Sequence, residues 1–325
     1  MSTPRRIVVT DVQHPIGRHV LDALRDTSAV EFVGGLVTRA GRRADKGPDV
    51  ETLPIAPDHR PFAAYLREHR IDTVVQCGLA PDRSGGRVGP EDVDVIGTMC
   101  AGAAVGNADA GIRSWVTLSS SSIYPIDSHA SLLQREEDAR APDPEAPQAA
   151  LAEAEDYARD VAIRHPHINV GVLRLQQLAG RGLSGSLAAV FEQDPVPSPI
   201  GFDPAIQLLH ADDAAAAVTF AALHELAGVY NVASTGQIRW DAAMRVAGDR
   251  GAPVFPVGAW AFAPLMERLR LPHLPDDIVP LARFGQAIDT TKIERAGFRP
   301  KHDQTDCFDA IRAGRARARP ARSAR

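Results

Sequence analysis

The run Arg6-Ile7-Val8-Val9-Thr10 and the turn after it constrain the fold more than any other stretch. The run is short, apolar and β-branched, as a buried strand is. The turn Asp11-Val12-Gln13-His14-Pro15-Ile16-Gly17 follows, and residues 18–25 then carry helical spacing. A strand feeding a helix through so tight a turn opens a dinucleotide-binding βαβ unit, whose turn ordinarily holds three glycines. Only the third, Gly17, is present; Asp11 and His14 occupy the other two positions. The first glycine permits the turn, the second lets backbone approach a pyrophosphate, and the third lets helix and strand pack closely. The spacing therefore predicts an intact frame with a rewritten anion surface. A carboxylate ~5–6 Å from a phosphate costs roughly 1–3 kcal/mol at an effective dielectric of about 20, and His14 adds bulk. Two outcomes stay open: weak or absent dinucleotide binding, or a turn that bends differently and still binds.

Further along, apolar runs at 30–37, 50–55, 71–77, 114–118 and 167–173 alternate with helical spacing at 61–69, 91–109 and 148–165. That alternation predicts an α/β fold with a doubly wound parallel sheet, Rossmann-like, and a smaller C-terminal substrate lobe. The expected organisation is a dinucleotide-binding-type domain over 1–180 and a mixed region over 181–312. The mixed region holds the substrate lobe, rich in Pro, Trp, Phe and Leu at 253–286, and elements that return to the sheet, such as the short strand 229–232. The Arg/Ala stretch 313–325 reads as a basic, disordered tail.

Composition excludes some classes. A net charge of −5 gives no reason to expect nucleic acid, and no apolar run approaches the ~18–20 residues of a membrane span. The start of the chain runs directly into the first strand, so no signal peptide is expected, and Cys77, Cys100 and Cys307 read as reduced thiols of a cytoplasmic protein. Their spacing predicts no metal site.

Several motifs carry a resemblance. Asp94-Val95-Ile96-Gly97-Thr98 looks like an Asn-Val-x-Gly-Thr helix motif, and Ser119 to Pro125 like Ser-Ser-x-x-Val-Tyr-Gly. Leu209-His210-Ala211-Asp212-Asp213-Ala214 looks like Val-His-Val-x-Asp-Val-Ala, and the segment from Asp289 to Pro300 like an Asp-Thr…Leu-Gly-x-x-Pro close. Together with the first turn, the chain resembles the extended short-chain dehydrogenase/reductase family, the group of nucleotide-sugar epimerases and dehydratases, over nearly its whole length. The resemblance implies NAD or NADP as cofactor, with contacts from Thr10, Gln13, Pro15, Ile16 and Gly17, from Arg39 after the second strand, from Gly78 and Leu79 after the fourth, and from Ser119. Arg39, where an acidic residue would hold a ribose, suits a 2′-phosphate. The resemblance also implies a homodimer through the helices 91–109 and 148–165.

The family's chemistry needs a Tyr-x-x-x-Lys pair, whose spacing puts both groups on one helix face. Aligned on its Lys-x-Glu-x-Glu run, the pair falls on Pro147 and Leu151, neither of which moves a proton. Ser120 matches the family's catalytic Ser/Thr, and His14 faces the expected cleft. Besides a sensor in which dinucleotide occupancy alters a partner contact, two readings remain. One is a non-redox member or pseudo-enzyme that keeps a small-molecule cleft and holds cofactor weakly or not at all. The other is an active NAD(P)-dependent epimerase, dehydratase or ketoreductase, acting on a sugar nucleotide or secondary metabolite, with acid/base work relocated to His14, Asp11 or His210 with Asp212.

Overall fold

A computed structural model describes residues 4–13, 15–38, 50–78, 90–107, 111–139, 148–180, 183–248, 251–254 and 272–318. Seven strands form its central sheet: β1 (Arg5–Thr10), β2 (Val30–Val37), β3 (Val50–Thr52), β4 (Thr73–Gln76), β5 (Ser114–Ser120), and the strands Asn169–Leu175 and Gly228–Val232. Their spatial order is Gly228–Val232, Asn169–Leu175, β5, β4, β1, β2, β3. The pairings from β3 across to Asn169–Leu175 are all parallel. The chain thus builds outward from β1 to β3, then returns to lay β4 against the other side of β1. The doubly wound sheet expected from the sequence is what forms, and its topological switch point lies between β1 and β4.

Every residue of β4 and β5 is buried, which is why these strands read as continuous apolar runs rather than alternating ones. Helices α1 (Pro15–Arg25), α2 (Arg60–Glu68), α3 (Pro90–Asn107) and α4 (Ala149–Arg164) make the crossovers. Small residues set how closely α3 and α4 pack: a Cβ on Gly102 of α3 would stand 2.7 Å from the Tyr157 ring and 3.0 Å from Val161 of α4. Trp115, Phe62, Val8 and Val161 belong to one buried cluster on this side. At the start of β1, the buried Arg5 guanidinium pairs with Asp72 at 3.0 Å and Glu225 at 2.6 Å.

By contacts the chain forms two units. The first comprises Met1–Ile123, Arg140–Leu175 and Ala214–Asn231; the second comprises Tyr124–Ala139, Gln176–Asp213 and Val232–Arg325. The path therefore crosses between units several times. The return expected for 229–232 is seen, since Gly228–Val232 closes one edge of the sheet. The second unit has its own core, in which Phe191 meets Trp240 and Phe308 at ring separations of 4.9 and 4.8 Å.

The sequence expectation of a disordered tail over 313–325 needs correcting at its start. A helix spans Gln304–Ala318. Phe308 and Ile311 bury in the second unit, and the Ala/Arg residues beyond them are strong helix formers that extend an anchored helix with little cost. Residues 319–325 lie outside the described residues. No described helix is long and apolar enough to cross a membrane.

Candidate functional site

In open α/β sheets ligands bind beyond the carboxyl ends of the strands at the switch point. Here those ends are Thr10-Asp11 after β1 and Cys77-Gly78 after β4, because Thr10 registers with Gln76 and Gln76 with Thr117. Ser119 and Ser120 end β5 on the same rim of the sheet. The strand ends therefore carry most of the residues singled out from the sequence to one side of the first unit. His14, Arg39, Leu79 and Pro147 lie outside the described residues, as do the side chains of Pro15 and Asp94.

Asp11 has φ 57°, the left-handed region that glycine enters freely and aspartate tolerates. It thereby supplies the backbone freedom of the missing first glycine. Gly17 keeps its packing role, since a Cβ there would lie 2.6 Å from the Asp11 carbonyl oxygen. The frame survives at both described positions.

The side chain is where the turn departs from its type. Asp11 is only 7% exposed. Its carboxylate turns inward rather than standing free against an anion: it accepts from the Thr10 hydroxyl at 2.8 Å, from the Gln13 amide at 3.2 Å, and from the Thr38 hydroxyl at the end of β2. The bare backbone of Gly78 makes room for it, for a Cβ there would stand 2.8 Å from Asp11 Oδ2. Gln13 Nε2 also reaches Thr38 Oγ1 at 3.3 Å, and Gln13 Oε1 is buried with no partner among the described residues. Ile16, expected to touch cofactor, is fully buried in the core.

A pyrophosphate needs N–H and O–H donors and positive charge. This turn presents a carboxylate and an orphaned carbonyl oxygen, and the hydroxyls of Thr10 and Thr38 are already engaged. The described side chains of the turn therefore offer a diphosphate acceptors rather than donors.

At the end of β5, Ser119 Oγ donates to Glu155 Oε1 at 2.6 Å. Arg174 grips the same carboxylate in a fork, Nε to Oε1 at 2.9 Å and Nη2 to Oε2 at 2.6 Å. All three residues are buried. Two paired N–H···O contacts in a dry site make a strong, directional link, so the Ser119 hydroxyl is held for structure. Ser120 Oγ accepts from the Ser122 N–H at 3.2 Å and contacts Ser122 Oγ at 3.0 Å.

A tyrosine–lysine relay has no counterpart. No lysine falls four residues after any of the four tyrosines. Tyr157 packs against Gly102 with the Arg164 guanidinium over its ring at 5.6 Å. Tyr230 donates to the Ala227 carbonyl at 3.1 Å, Tyr65 is buried against Gly34 and His69, and Tyr124 is 2% exposed. Leu151 sits half-buried on α4.

The second unit holds a cluster that sequence spacing did not reveal. His210 precedes the helix Ala211–Leu223, and His302 precedes Gln304–Ala318; their rings stack at 3.8 Å and 19°. Asp213 anchors the arrangement. Its carboxylate accepts from the N–H groups of Lys301 at 2.9 Å and His302 at 3.0 Å and from the Ser234 hydroxyl at 3.1 Å. Burial, and then the neighbouring His302, hold His210 below the usual histidine range. The two histidines stand ninety-two residues apart in the chain, and no local pattern links them.

Comparison with known proteins agrees with the fold. The model of the NAD dependent epimerase/dehydratase family matches residues 7–233. Uncharacterized proteins of Mycobacterium bovis and Mycobacterium tuberculosis are 30% identical over 260 residues, which is 78% of this chain and 69% of theirs. Among solved structures, the UDP-glucuronic acid 4-epimerase of Bacillus cereus in complex with NAD has a TM-score of 0.69 at 17% identity, covering 96% of this chain and 99% of that one. The dTDP-glucose 4,6-dehydratase of Bacillus anthracis in complex with NAD has a TM-score of 0.69 at 14% identity, covering 96% of this chain and 97% of that one.

Proposed function

Because the chain belongs to the NAD-dependent epimerase/dehydratase family, we propose that it is a non-redox member: it keeps the ligand crevice of the fold, does not run the tyrosine–lysine hydride chemistry, and holds dinucleotide weakly. One observation carries this reading. Pro147 and Leu151 stand at the relay positions, and no other tyrosine and lysine are spaced to replace them. A catalytic hydroxyl needs its pKa brought toward the working pH by a neighbouring cation, and the described hydrogen bonds of the Ser120 hydroxyl run to Ser122. The solved neighbours named above bind NAD, but the inward carboxylate of Asp11 opposes the same diphosphate here.

The crevice would then take a small polar molecule that donates hydrogen bonds to Asp11 and Gln13. Calorimetric titration with NAD+, NADH, NADP+ and NADPH tests the reading. A Kd of about 1 mM or weaker for all four, with no turnover of secondary alcohols, ketones or sugar nucleotides, is the expected result. Micromolar binding with turnover would overturn it in favour of relocated acid/base groups. The exposed Ile96 and Met99 on α3 and Ile163 on α4 support pairing of these helices with a second copy, and light scattering on the purified chain would read a dimer mass.

A further inference from the structure

From the cluster in the second unit we infer a divalent transition-metal site built by His210, His302 and Asp212, independent of the nucleotide crevice and of its proposed function. One ligand atom from each of the three residues lies within 4.8 Å of the other two. Closing such a set onto a cation with bonds near 2.0–2.2 Å needs side-chain rotation of the order of an ångström. Two imidazoles and one carboxylate are a borderline donor set, which suits Zn2+, Co2+ or Ni2+ rather than Mg2+ or Ca2+. Three protein ligands leave open positions for water or a small anion.

The surroundings favour ligation beyond mere proximity. A metal-binding histidine ordinarily turns its second nitrogen to a carboxylate, which fixes the tautomer and frees the other lone pair. His302 Nδ1 lies 3.0 Å from Asp213 Oδ1, and Asp213 is itself held by Lys301, His302 and Ser234. Among the described residues His302 Nδ1 makes no well-formed hydrogen bond, so a small rotation of this ring need only keep its approach to Asp213. His210 Nδ1 receives only a long contact from the Asp212 N–H, at 3.3 Å, and sits 3.9 Å from Asp212 Oδ2. Gly180 borders the His210 ring, where an added Cβ would stand 3.5 Å from Nε2. Both helix starts that meet here would be clasped by the ion.

The test uses the full chain, stripped with chelator and titrated with ZnCl2 by calorimetry and with CoCl2 by visible absorption. One equivalent should bind with micromolar affinity, and the cobalt form should show d–d bands. His302→Ala should weaken binding by at least tenfold. Asp212→Asn, at a partly exposed position, should weaken it severalfold and serves if His302→Ala does not fold. Absence of saturable binding, or equal affinity in wild type and a folded variant, overturns the site. Because NAD titration is unaffected by either result, the proposed function stands or falls separately.

Discussion

The first turn and the histidine cluster treat their polar groups in opposite ways. Around Asp11 the hydroxyls and amide that an anion would need are turned onto one buried carboxylate. Around Asp213 the carboxylate is likewise saturated, but His302 Nδ1 beside it makes no well-formed hydrogen bond among the described residues. The first is an inherited site whose donors have been drawn inward. The second is a place where a buried imidazole nitrogen meets a carboxylate already held by other donors. A motif search finds the first and passes over the second.

The largest expected effect sharpens this contrast at α4. Replacing Glu155 by Gln should leave Arg174 an under-compensated buried charge and cost about 3–5 kcal/mol, read as a shift of the urea midpoint. A loss below ~1 kcal/mol would mean that the Ser119–Glu155–Arg174 network is not what orders the end of β5. Next comes Gly17→Ala, where the new Cβ meets backbone at 2.6 Å and overpacking should cost about 1–3 kcal/mol. A neutral outcome would show that the turn does not hold the close course ascribed to it.

Asp11→Gly addresses the anion surface itself. Removing the carboxylate and restoring glycine at a positive φ should raise NAD+ affinity about tenfold, ~1.4 kcal/mol, by calorimetry against wild type. Unchanged affinity would move the block to dinucleotide binding elsewhere in the turn. The smallest effect concerns pH. Burial pushes the Cys307 thiol up from 9.0 to about 12. The folded state therefore holds this proton more tightly than the unfolded chain, and the stability this provides is complete below pH 9 and lost as pH rises from 9 toward 12. Urea midpoints should fall by on the order of 1 kcal/mol more between pH 8 and pH 10 in wild type than in Cys307→Ala; equal slopes would count against a buried thiol there.

The sheet was legible in the sequence because parallel strands buried on both faces are written as continuous apolar runs, and Arg6–Thr10 with Gly17 gave its first unit. The assignment of the relay positions to Pro147 and Leu151 rests on sequence spacing alone. The direction of the Asp11 side chain was not legible, because it depends on Thr38 and Gly78, which arrive from two other strands. The ion pair of Glu155 with Arg174 was equally hidden, although a lone arginine closing an apolar strand and a glutamate in an alanine-rich helix are its traces. The start of the tail was misread because an alternating Arg/Ala composition does not by itself distinguish a helix anchored by Phe308 and Ile311 from a solvated segment.

The strand Gly228–Val232 completes the sheet against Asn169–Leu175, yet it is made about fifty residues later. Until it arrives, Asn169–Leu175 offers a bare row of N–H and C=O groups to any passing chain. At a synthesis rate of roughly 5–20 residues per second that interval lasts seconds, long enough for neighbours on a polysome to meet. A protein cut short before residue 228 would hold the same edge open permanently and should accumulate as insoluble aggregate.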